Sequence, residues 1–113
     1  MEVIEFLVQG SLPEPYEVTF TRNGNTINAF CTCPAAESGG MACKHRLSIL
    51  TGLKVGIVSG NVDQVQAVAS WLASSNLEMR MAEVDRAEQE AEAAKKAVSA
   101  AKKRLAAAML GRE

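Results

Sequence analysis

The chain is poor in the residues on which most catalytic chemistry depends. Its 113 residues include one histidine, one tryptophan, one tyrosine and three phenylalanines. A single histidine leaves no partner for an acid–base relay, and no Gly-rich phosphate-binding loop is present. An enzyme is therefore not expected. No apolar run approaches the roughly 18 residues needed to span a bilayer, so no membrane partner is expected. The N-terminal residues, Met1-Glu2-Val3-Ile4-Glu5, are acidic where a secretory leader is basic. Three cysteines, an odd number, then argue for reduced thiols rather than a disulfide framework, and for the cytoplasm, nucleoid or nucleus. The net charge of −1 excludes a uniformly basic or acidic surface.

What is present is concentrated. All three cysteines and the one histidine fall within Cys31-Thr32-Cys33 and Cys43-Lys44-His45, separated by nine residues. Together they supply four ligands, which is one tetrahedral shell with none left over. Three thiolates and an imidazole make a closed structural zinc site. The expected metal is Zn2+, with Cys31, Cys33, Cys43 and His45 as its ligands.

The flanking pattern supplies the scaffold. Ile4, Phe6 and Val8 alternate with Glu5, Leu7 and Gln9, as on a strand with one apolar face. Gly10 to Pro15 carries two prolines and reads as a turn. Tyr16, Val18 and Phe20 alternate with Glu17, Thr19 and Thr21, and Asn23-Gly24 then offers a tight hairpin turn into Thr26–Phe30. Residues i and i+2 share a face on a strand but not on a helix. Cys31 and Cys33 are thus expected at a strand end, with Cys43 just outside a helix and His45 in its first turn. Leu47, Ile49 and Leu50 continue that helix to Gly52. The intervening segment, Pro34 to Ala42, is small and Gly-rich and suits folding around an ion. Lys44 and Arg46 flank a cluster whose formal charge with zinc is −1.

Cys-x-Cys, a loop, then Cys-x-His after a hairpin and leading into a helix resembles a SWIM-type zinc finger. The resemblance covers roughly residues 16–52, with the four ligand positions matched by Cys31, Cys33, Cys43 and His45. It implies a ββα zinc fold acting in DNA binding or protein–protein interaction. Nothing after residue 55 has a counterpart in the motif.

Beyond it, Val55-Gly56-Ile57-Val58 reads as a further strand or a packed connector. Asn61 and Gln64 suggest a capping box before a helix with Val65, Val68, Ala69 and Leu72 on one face and Trp71 beside it. Ser74-Ser75-Asn76 interrupts that helix, and Ser75 with Glu78 offers a second capping box. A long Ala-, Glu-, Lys- and Arg-rich helix is expected over about 77–110. Its heptad places Leu77, Val84, Ala91, Val98 and Leu105 at one seam position, with Arg80, Ala87, Ala94, Ala101 and Ala108 at the other. The expected fold is α+β: an N-terminal strand and a small ββα zinc-binding module over 1–58, then a helical extension over 59–113 ending in a coiled-coil-like helix.

Charge is uneven along that extension: residues 77–94 carry a net −4, and residues 95–113 a net +5. Two functions follow. One is nucleic-acid binding, with Arg22, Lys44, Arg46, Lys95, Lys96, Lys102, Lys103 and Arg104 as contacts. The other is a protein-interaction adaptor, docking or forming a homodimer through the long helix. Opposite charge on the two halves favours antiparallel pairing.

Overall fold

Alternating apolar residues set the sheet. In this computed structural model, which describes residues 1–37, 39 and 43–112, β1 (Glu2–Val8), β2 (Tyr16–Asn23) and β3 (Thr26–Cys31) form an antiparallel sheet in the order β1-β2-β3. The register pairs Phe6 with Val18, and Val18 in turn with Cys31. One face therefore buries Phe6, Val8, Val18, Phe20 and Ile27, while Val3, Leu7 and Phe30 on the other are exposed. Phe6 and Phe20 meet edge to face, ring centroids 6.1 Å apart. Each such side chain stabilises the fold by about 1.5–3 kcal/mol through burial.

The hairpin turn lies one residue later than Asn23-Gly24 suggests. Asn23 pairs with Thr26, so Gly24-Asn25 is the two-residue loop, and of the pair only Gly24 takes a positive φ, 62°. A two-residue hairpin with glycine first and no second positive φ is the II′ arrangement, not the I′ arrangement of an Asn-Gly pair.

Among the described residues four α-helices follow: α1 (Pro34–Glu37), α2 (Lys44–Leu50), α3 (Val65–Leu72) and α4 (Asn76–Met109). The Pro34–Ala42 segment is thus a single helical turn at its start, and Ser38, Gly40, Met41 and Ala42 lie outside the described residues. α2 packs on β3 and α3 and buries Ile49 and Leu50. It ends as expected: Gly52 has φ 88°, its N–H bonds the carbonyl of Ile49 at 3.0 Å, and that of Leu53 bonds Ser48 at 2.9 Å. The expected helix from Val62 begins as a 3-10 turn, Val62–Gln64, before α3. Asn61 does not cap it. Its Nδ2 instead donates to the Glu5 carbonyl at 2.7 Å and to Gln64 Oε1 at 2.8 Å. The buried face of α3 is Val65, Val68 and Trp71, so the tryptophan belongs to the face rather than beside it.

Both outer edges of the sheet are occupied. Along β1, the Gln9 N–H bonds the Gly56 carbonyl and the Val58 N–H bonds the Leu7 carbonyl, each at 2.8 Å, so residues 56–58 are a packed connector with one bridge, Val8 to Ile57. Along β3, Asn76 Oδ1 accepts from the Ile27 N–H at 2.8 Å, and the Asn76 N–H donates to the Asn25 carbonyl at 3.1 Å. Blocking an edge in this way prevents strand-to-strand association.

Two compact units result, Met1–Met79 and Arg80–Glu113. The first takes in α3 and the opening turn of α4 as well as the expected 1–58 module. Ser74, at φ 63°, breaks the chain between α3 and α4. Ser75 then accepts from the Glu78 N–H at 3.3 Å, while Glu78 Oε1 accepts from the Ser74 N–H at 3.2 Å. The 34-residue α4 has no fully buried side chain along its length, and in the second unit Val98 and Leu105 are 54% and 57% exposed.

Candidate metal centre

The end of β3 and the start of α2 bring four ligand atoms together. Cys31 is the last residue of β3, and Cys33 lies in the bend beyond it. Cys43 is the N-cap of α2 with extended backbone, φ −81° and ψ 96°, which places His45 in the first turn. The i, i+2 spacing works because neither Cys31 nor Cys33 is helical and Cys43 lies just outside α2.

The ligand atoms all lie within 4.8 Å of one another. Cys33 Sγ and Cys43 Sγ are 3.4 Å apart, and His45 Nδ1 is 3.8 Å from both Cys31 Sγ and Cys43 Sγ. A tetrahedral shell with ordinary zinc bond lengths requires S···S of about 3.8 Å and S···N of about 3.5 Å. The donor set and its spacing fit zinc. His45 presents Nδ1 to the thiols, and its ring lies 5.1 Å from that of Tyr16. When bound, zinc supplies a cross-link between the sheet and α2. These residues hold it, and Cys33 and Cys43 are 3% and 1% exposed.

The surroundings divide the thiols. Burial and the neighbouring thiols push the Cys31 thiol up to about 12, against a weaker opposing contribution from the Cys33 N–H, whose nitrogen is 3.5 Å from Cys31 Sγ. Burial also works against the Cys43 thiolate, but hydrogen bonds from the Arg46 backbone and side chain and from the other two thiols hold it below the ordinary thiol value. Burial, then the charge of Lys44, lowers His45, which keeps the imidazole neutral and able to coordinate.

Arg46 is a second-layer residue that spacing alone does not reveal. Its Nη1 donates to the Ala29 carbonyl at 3.2 Å while the same residue bonds Cys43, which links α2, the thiolate and β3. Arg22 is also engaged: it pairs with Glu2, and its guanidinium carbon sits 5.0 Å from the Trp71 ring centroid. Lys44 is exposed, as are Lys95, Lys96, Lys102, Lys103 and Arg104 on α4. A cavity of about 240 Å³ opens beside the cluster, lined by Gly10, Ser11, Tyr16, Pro34 and Lys44 together with the ligands Cys33, Cys43 and His45. A Cβ at Gly10 would collide with the Tyr16 ring, so the turn before β2 can close over Tyr16 only without a side chain there.

No helix among the described residues is long and apolar enough to cross a membrane. Comparison with curated proteins and with solved structures found no match. The model of the SWIM zinc finger family matches residues 6–51, a span that holds the end of β1, all of β2 and β3, all four ligands and α2. Residues 6–51 thus match a SWIM zinc finger, and the four side chains gathered within that span can hold a metal ion, consistent with zinc.

Proposed function

We propose that the chain is a protein-interaction adaptor in which zinc is structural and the long helix is the docking arm. The observation that carries this reading is the exposure of α4. It displays Val98, Leu105 and Met109 to solvent on a helix with no fully buried residue. An apolar seam of that length is stabilised by a partner. Four protein ligands fill the zinc shell and leave no open position for a substrate, which supports a non-enzymatic role.

The finger itself offers little to a phosphate backbone. Of its three flanking cations, Arg22 is paired with Glu2 and Arg46 with the Ala29 carbonyl and Cys43, which leaves Lys44 to face solvent. Nucleic-acid binding is the second reading, favoured by the exposed basic stretch Lys95, Lys96, Lys102, Lys103 and Arg104. Titrating the zinc-loaded protein with duplex DNA and single-stranded RNA at two salt concentrations separates them. The adaptor predicts no specific binding even at low salt. Affinity that falls with a log–log salt slope of about −0.9 per duplex phosphate contacted would favour the second reading instead.

A further inference from the structure

We infer that the partner of α4 is a second copy of α4, paired antiparallel about Lys96. This rests on the adaptor reading and names its partner. In an antiparallel pair the two seam positions face each other, and the flanking positions meet their own kind across the interface. Pairing residue i with residue 192 − i of the partner puts Val84 against Ala108, Ala87 against Leu105 and Ala94 against Val98. Each larger seam side chain then faces an alanine. The axes can therefore approach at the short end of the about 8–10 Å range of packed helices.

Charge selects this register and direction. Glu88 meets Lys102, and Glu90 meets Arg104, each contact occurring twice by symmetry; Lys95 meets its own copy as the one like-charged contact. All of these residues are exposed. Arg80, the charged member of the seam, falls outside the overlap, where Glu83 already holds it at 3.1 Å. Leu77, half-buried within its own chain, also falls outside. The overlap, residues 83–109, is thus confined to the second compact unit and is about 40 Å long. Sliding the helices by one heptad places Arg80 against Leu105 within the seam. A parallel pair stacks Arg80 on Arg80 and sets Glu83 against Glu88. Both alternatives bury or oppose charge that the Lys96-centred pair leaves satisfied.

Sedimentation equilibrium on the zinc-loaded protein and three variants tests the pairing. The wild-type chain is expected to dimerise reversibly. Glu88→Lys should weaken the dimer about tenfold, because two attractive surface contacts become repulsive. Glu88→Lys combined with Lys102→Glu should restore it. Lys95→Ala should strengthen it, since the one like-charged contact is removed. Glu88→Lys would instead strengthen a parallel pair, by meeting Glu83, and Lys95→Ala would weaken both the parallel and the heptad-shifted pair. Either result overturns the proposed register. A monomer at millimolar concentration overturns the second copy as partner. The adaptor reading fails separately, in the nucleic-acid titration, and would survive a monomeric result.

Discussion

The two compact units show contrasting ways for a short chain to hold structure. Met1–Met79 buries Phe6, Phe20, Trp71 and its three cysteines, while Arg80–Glu113 has no buried side chain among its described residues. The first unit is held by long-range order: Val18 pairs with Cys31, Asn76 bonds Ile27, and four ligands from two elements converge. The second rests on local helix propensity and pairs such as Arg80 with Glu83. One change in the front unit therefore propagates through it, and one change on α4 stays local.

The largest expected effect is loss of a ligand. Cys31→Ser removes part of an interaction worth on the order of 10–16 kcal/mol, so the hairpin amides should lose their dispersion in NMR spectra. The helical circular dichroism of α4 should persist in part. Next is the core. Phe20→Ala, at a fully buried position, should lower stability by about 3–5 kcal/mol in denaturant titration of the zinc-loaded protein. Leu105→Ala on α4 should change the stability of the isolated chain by no more than about 0.5 kcal/mol. An equal effect of the two would break the contrast between the units.

Smaller effects sharpen it. Gly10→Ala drives a methyl into the Tyr16 ring beside His45 and should destabilise the front unit by about 1–3 kcal/mol. Acidification should weaken zinc binding. Cys31 is protonated at neutral pH in the metal-free protein, its thiol lying at about 12, so coordination releases its proton. Affinity therefore falls as the pH falls, already across neutrality through the Cys31 proton, and more steeply below the ordinary imidazole range, where His45 takes up a proton as well. Calorimetry in buffers of different ionisation enthalpy reads the proton release directly.

The sequence carried the metal centre in full, because exhausting the supply of cysteine and histidine in paired spacing is a local signal. The alternation of Tyr16, Val18 and Phe20 located a strand for the same reason. What it could not carry was contact between distant residues. Nothing local ties Asn76 to Ile27, 49 residues away, or turns Arg46 back onto the Ala29 carbonyl. Arg22 and Arg46 look like surface cations in the sequence and are engaged within the fold. The hairpin turn moved by one residue because cross-strand register, with Val18 opposite Cys31, decides where the loop falls. Trp71 is buried with Val65 and Val68 while Ala69 and Leu72 are only half-buried, so the core lies on the Trp71 side of the apolar stripe, a direction that periodicity alone does not give.

Zinc titration of the metal-free chain, followed by the backbone amide spectrum, tests the central claim most directly. One equivalent of zinc per chain should produce the dispersed resonances of β1, β2, β3 and α2 together, with no further change beyond it. A hairpin already dispersed in the presence of a strong chelator would contradict the account.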